Sequence, residues 1–200
     1  MVEVIIAFLT GVLGPISILA AKDYIENRRK RLQDPIAETV FKSNEINEEL
    51  DFLLEEFSAD RIWIAQFHNG GNYYPTGKSI QKFSIFFESL KKPKDSIRAN
   101  FQGIPVNLFS KSLGKILEDG YIAIYDYRED SSFTCGLKSF AEENGTKSSY
   151  LFAIRNLHNK MVGILGVEYT TRKKKIDEQH LISIQLKCNS LGGALMHVLQ

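Results

Sequence analysis

The chain has 200 residues, 44% of them hydrophobic and 24% charged, and its 25 basic side chains are so nearly balanced by 24 acidic ones that the net charge is +1. That composition excludes a disordered or low-complexity chain, and the missing basic excess argues against nucleic acid as a partner. The two cysteines, Cys135 and Cys188, lie far apart in the chain with no CxxC spacing, which suits free thiols in a reducing compartment.

Residues 1–33 read as a single-pass membrane anchor followed by a basic juxtamembrane segment. Residues 4–21 are eighteen in a row without a charge. A hydrocarbon core about 30 Å thick needs roughly 20 mostly apolar helical residues. Arg28, Arg29, Lys30 and Arg31 follow, and residues 22–33 carry five basic against two acidic side chains. Positive charge stays on the cytoplasmic side, so residues 34–200 are expected to face the cytoplasm from the inner or plasma membrane. A secretory signal would carry its basic residues ahead of the apolar run, where Glu3 stands here. Gly11, Gly14 and Pro15 would weaken a soluble core helix and are better tolerated in lipid. A helix lying in the interface is the remaining alternative.

Asp34 and Pro35 have the chemistry of a helix cap and first turn. Ile36, Val40, Leu50, Leu54 and Phe57 then recur at helical spacing, with Ser43 and Asn47 in the intervening seam positions. Such a seam suits either a helical dimer or a helix lying on its own sheet. Residues 61–68 alternate as a strand, Trp63, Ala65 and Phe67 against Ile62, Ile64, Gln66 and His68, and end in a loop at 69–72. Strands are expected at 79–90 and 96–102, joined by a turn at 91–94. An amphipathic helix over 106–118 is stopped by Asp119 and Gly120. A short strand at 121–125, a short helix at 137–144 and a hairpin of 150–156 with 161–170 come next. The last helix begins at Ile176 and runs to the end, with Leu181, Ile184, Cys188, Leu191, Leu195 and Val198 on one seam.

This order, with MVGILGVEYT at 161–170, IDEQHLISIQLKCNSLGGAL at 176–195 and DGYIAIYD at 119–126, resembles the GAF-domain family across residues 34–200. The stretch RIWIAQFHNGG, residues 61–71, is also similar to small anchored GAF-like proteins of tailed phages. The resemblance implies an α+β fold: an antiparallel sheet of five or six strands, with the N- and C-terminal helices packed on one face and a small-molecule pocket on the other. Members bind cyclic nucleotides, bilins, haem, amino acids or nothing, so the cofactor is left unknown. The Asn-Lys-Phe-Asp-Glu signature of the cyclic-nucleotide class is absent from this sequence. The resemblance also implies a homodimer through the terminal helices, placing Leu50, Leu54, Ile184, Leu191 and Leu195 at the interface.

One GAF subfamily reduces free methionine sulfoxide. The resemblance sets Cys135 where that subfamily has its nucleophile and Glu168 where it has a substrate-binding carboxylate. No resolving cysteine matches, because residues 102–105 read Gln-Gly-Ile-Pro and Cys188 falls on the wrong face of the closing helix. Asp126, Glu129 and Asp130 would raise the Cys135 pKa, which suits an unreactive thiol. Bilin attachment at Cys135 lacks the usual neighbouring histidine. No catalytic residue is assigned.

His68, at a strand end over a flexible loop, is either a ligand-binding or pH-sensing group or a strand-end histidine with a polar neighbour. Arg155 and Glu168 would offer a cation and an anion to a zwitterionic ligand if both face the pocket, and otherwise form a cross-strand ion pair. Tyr74 and Phe101 complete the expected ligand set with His68, Cys135, Arg155 and Glu168. No His has metal-ligand spacing with another His, Cys or carboxylate, so no metal is expected. Residues 172–175, Arg-Lys-Lys-Lys, are either a solvated loop or a contact for anionic lipid headgroups. The reading is a membrane-anchored, non-enzymatic module that binds a small molecule, a partner protein or both. The alternative is a docking platform with a closed pocket, and the reductase stands third.

Overall fold

The computed structural model describes residues 19–24, 35–128 and 135–198. Most of the expected anchor, residues 4–18, and the basic cluster at 28–31 lie outside the described residues. Among the described residues no helix is long and apolar enough to cross a membrane. The chain divides into two compact units, residues 1–41 and 42–200. In the first, residues 19–24 are helical, and Ile36, Val40 and Phe41 are exposed.

The larger unit is an antiparallel sheet with helices on both faces. Helix α1 (Pro35–Glu56) leads into β1 (Arg61–Asn72) and β2 (Ser79–Leu90). The short edge strand β3 (Ile104–Pro105), α2 (Ser110–Asp119) and β4 (Tyr121–Ile124) follow. The chain ends with α3 (Cys135–Glu143), β5 (Ser148–Arg155), β6 (Met161–Tyr169) and α4 (Glu178–Val198). The strand order is β3-β2-β1-β6-β5-β4. Gly120, at φ 83°, closes α2 in the left-handed conformation that a Cβ would penalise. Asp177 accepts the His180 amide at 2.9 Å and caps α4, which therefore starts two residues after Ile176.

Alternation along β1 sorts the core into two layers. Ile62 and Ile64 point to the helix face and meet Leu53 of α1, Phe57 just after it, Ile184, Cys188 and others in one cluster. Trp63 and Ala65 point the other way, with Phe83, Leu151 and Ile164, under Leu113 and Ile116 of α2 and Phe140 of α3. Burying one such side chain contributes roughly 1.5–3 kcal/mol. At Gly192 the backbone of α4 lies so close to β5 that a Cβ would sit 1.9 Å from the Arg155 carbonyl oxygen, so only glycine fits.

Two expectations are corrected. Residues 96–102 form a turn, not a strand. The Glu88 carboxylate takes the Ile97 amide at 2.9 Å and the Ser96 hydroxyl at 2.5 Å, so this segment is held by a side chain and not by a ladder. The edge strand falls later, at Ile104–Pro105, and proline without an N–H is tolerated at such an edge. The helix seams, read as a dimer interface, are used within the chain. Leu50, Ile184, Leu191 and Leu195 are 0%, 0%, 3% and 0% exposed, and Leu54 is half-buried against the same cluster. Leu50, Ile184, Leu191 and Leu195 offer no surface to a second copy, because the sheet face beneath them is itself apolar and covers them first. The outer faces of these helices keep Phe52, Ile182 and Leu186 exposed.

Candidate functional site

The sheet face opposite the long helices is where a ligand pocket would lie. Its floor is Trp63, Phe83, Ile85, Leu151 and Ile164, and its roof is Leu113, Ile116, Leu137 and Phe140. Phe101 stands edge-on to Phe140 with ring centroids 4.1 Å apart, and Phe83 meets Phe109 at 5.5 Å. These rings leave a cavity of about 30 Å³, enough for one water. Trp63 Nε1 and Ser112 Oγ are buried beside it and have no hydrogen-bond partner among the described residues.

At one end of this face Arg61 and Glu168 are direct cross-strand partners. Both are 1% exposed. Arg61 Nε donates to Glu168 Oε2 at 2.8 Å, and Nη2 makes a second, shorter contact to the same oxygen. Nη2 also donates to Thr146 Oγ1 at 2.9 Å and Nη1 to the Asp95 carbonyl at 2.6 Å, while the Thr146 hydroxyl donates to Glu168 at 3.2 Å. A buried pair surrounded by satisfied donors holds elements together and leaves no open valence for a ligand. Beside it, burial pushes the Asp60 carboxyl up in pKa. The amides of Thr171 and Thr170, each 2.8 Å away, outweigh that and hold it below the ordinary carboxylate range.

The six residues picked as ligand contacts do not converge. Of the five whose side chains are described, Phe101 alone lines the cavity. Arg155 and Glu168 sit on neighbouring strands but at opposite ends of the hairpin, since Arg155 pairs with Met161 and Glu168 with Ser149. Arg155 donates to the carbonyls of Leu117 at 2.8 Å and Asn159 at 3.1 Å, so the anticipated Arg155–Glu168 pair gives way to Arg61–Glu168. Sharing a hairpin does not make two residues opposite, and register decides. His68 has the parity of Ile62 and Ile64, on the helix face. Its Nε2 is 2.8 Å from Ser84 Oγ and its ring is edge-on to Phe86, a strand-end histidine with a polar neighbour. Tyr74 is 97% exposed in the loop after β1. Cys135 is the first residue of α3, and its side chain lies outside the described residues. Cys188 is buried under the helix face, which pushes its thiol pKa up. No group of three His, Cys, Asp or Glu able to hold a metal occurs among the described residues. Arg61 was not singled out from the sequence, although its odd position in β1, shared with Trp63, was a legible sign that it faces the pocket side.

No family model matches the sequence, and no curated protein is similar to it. Solved structures do share its architecture. A far-red cyanobacteriochrome photoreceptor superposes with a TM-score of 0.63 at 14% identity, over 91% of this chain and 98% of that one. The phycoerythrobilin-bound GAF domain of a cyanobacterial phytochrome gives 0.60 at 17% identity, over 86% and 95%. The GAF domain region of a protein assigned to the membrane in Geobacter sulfurreducens PCA gives 0.55 at 16%, over 80% and 97%. The chain has a GAF-like fold.

Proposed function

We propose that this chain is a membrane-anchored GAF-like interaction module whose pocket is filled by its own side chains, a docking platform in preference to a small-molecule sensor. The observation that carries this reading is the cavity of about 30 Å³, against the roughly 300 Å³ or more that a metabolite-sized ligand occupies. The phycoerythrobilin of the phytochrome domain does not fit here. A tetrapyrrole would have to displace Phe101, Phe109 and Phe140, which fill the space between sheet and roof.

The anchor rests on the uncharged stretch 4–21 with its trailing basic cluster, and the cytoplasmic placement of the domain rests on that charge bias. The membrane assignment of the Geobacter sulfurreducens protein agrees with it. Pairing of two copies, if through the terminal helices, would use Phe52, Ile182 and Leu186 on their outer faces, since the inner seams are covered. A non-enzymatic role is favoured because Glu168, the carboxylate a sulfoxide reductase would need, is engaged by Arg61 and Thr146.

Native mass spectrometry of the full-length chain, read with the emission of its single tryptophan, tests the closed pocket. Trp63 borders the cavity. The expected result is polypeptide without an organic ligand and an emission insensitive to added metabolites. A co-purified molecule whose removal shifts Trp63 emission overturns the platform reading in favour of the sensor.

A further inference from the structure

Where β4 and β6 end and β5 begins, the surface carries a groove of about 590 Å³. Its three walls are the segment after β4, with Asp126 and Arg128, the turn before β5, with Thr146 and Lys147, and the loop after β6, with Arg172 and Lys173. We propose that this groove binds a phosphate-bearing anion, supplied either by a soluble phosphate compound or by a lipid headgroup.

Charge is the first argument. The chain as a whole is nearly neutral, yet the groove gathers Arg128, Lys147, Arg172 and Lys173 against two carboxylates, Asp126 and Glu142. Asp126 is buried and already neutralised by an ion pair with Lys173. Among the described residues an incoming anion therefore meets one uncompensated acid, Glu142, and a cationic excess.

Construction is the second argument. The Asp126–Lys173 pair ties the first wall to the third, and Lys147 Nζ, donating to the Thr171 carbonyl at 2.5 Å, ties the second wall to the third. Asp126 Oδ1 also accepts the Arg128 amide at 3.0 Å, fixing the backbone that presents Arg128. Behind the groove, Thr146 is locked to the buried Arg61–Glu168 pair. Within this frame Arg128 and Arg172 are exposed, and their guanidinium groups make no hydrogen bond or ion pair among the described residues. A planar guanidinium matches a phosphate with two parallel N–H donors, a geometry that ammonium groups lack. Two such forks over a groove of ligand size suit a phosphate ester or diphosphate. The interior cavity is closed and apolar by comparison.

The test follows the melting temperature of the full-length chain in a neutral detergent. Sodium pyrophosphate should raise Tm, while sodium chloride at the same ionic strength should not. Mixed micelles with phosphatidylglycerol, compared with phosphatidylcholine, show whether a lipid headgroup does the same. The double variant Arg128→Ala with Arg172→Ala should melt as wild type in chloride and lose the response, with the pyrophosphate Kd weakened about tenfold for each guanidinium removed. A rise with either phosphate source that the double variant abolishes supports the site and names the source. No rise with either, or a rise that survives in the variant, overturns it. Should the alanine variant fail to fold, Arg128→Lys with Arg172→Lys applies the same criterion, because it keeps the charge and removes the forks.

Discussion

The helix face of the sheet is closed by α4, 21 residues long, and by the part of α1 from Ile46 on, through aliphatic side chains of both. The other face is closed by short elements, α2, α3 and the 96–109 segment, and by aromatic rings that meet edge to face. The helix face keeps one close backbone contact at Gly192 and a layer of fully buried aliphatics. The pocket face keeps a small void and a buried ion pair. Each side also leaves two buried polar atoms without a partner among the described residues, Gln66 Nε2 and Gln185 Oε1 on the helix side and Trp63 Nε1 and Ser112 Oγ on the pocket side, so what separates the faces is the void and the buried ion pair. Functional variation is cheaper on the pocket face, because filling or opening its pocket does not disturb the long helices.

The sharpest way to break this contrast is through the ion pair. Glu168→Ala should cost about 3–5 kcal/mol in urea unfolding, because it strands the buried Arg61 guanidinium. The double replacement Arg61→Met with Glu168→Leu should recover most of that loss. A single variant within 1 kcal/mol of wild type, by the same measure of about one ordinary hydrogen bond, would mean the pair is not buried. Next in size is a comparison of aliphatic with aromatic packing. Ile184→Ala should lose about 2–5 kcal/mol on the helix face. Phe101→Ala should lose less, since that ring is only half-buried, and should make Trp63 emission respond to small aromatic probes. Equal losses, with no probe response, would erase the difference between the faces.

Asp60 sharpens the comparison through pH. Its carboxyl pKa is lower in the folded than in the unfolded chain, so its stabilisation is complete above the ordinary aspartate range and is lost as pH falls through the folded value. Asp60→Asn should cost about 1.5–3 kcal/mol at neutral pH and flatten the acid limb of the stability profile. An unchanged limb would remove Asp60 from the account. Ser112→Ala deletes an unpartnered buried hydroxyl and should be neutral or stabilising by up to about 1 kcal/mol. Destabilisation beyond that would show that the hydroxyl has a partner. The smallest effect on stability belongs to Leu186→Arg on the exposed face of α4. It should leave Tm within about 1–2 °C of wild type, as a change of a few tenths of a kcal/mol implies, and give a monomer in sedimentation. A dimer that persists in the variant, or a wild type that is already monomeric, excludes the outer helix face as an interface.

Much of the fold was legible. The alternation of Trp63, Ala65 and Phe67 with Ile62 and Ile64 placed the two layers of β1 correctly, and the 161–170 stretch ends within one residue of β6. The closing-helix seam Leu181, Ile184, Cys188, Leu191 and Leu195 is the buried one. On α1 the seam was misread by part of a turn, since Ile46, Leu50, Leu53 and Phe57 are buried while Ile36 and Val40 are exposed. Sequence periodicity at 96–102 suggested a strand because it cannot register that Glu88, on the preceding strand, takes the Ile97 amide. The site was barely legible. Arg155 and Glu168 shared a hairpin but not a register, and the groove draws Arg128, Lys147 and Arg172 from three separate segments.

Most of the order of elements, the parity of β1 and the existence of an apolar face on the long helices were determined by the sequence alone, because those are local periodicities carried by consecutive residues. Only the tertiary structure decided three other matters: that the helix seams meet this chain's own sheet, that Arg61 and not Arg155 answers Glu168, and that the aromatics fill the pocket to about 30 Å³. Each depends on register and on the summed volume of side chains far apart in the chain. Periodicity records which face of an element is apolar, and carries no information about what that face will meet or how much space is left between them.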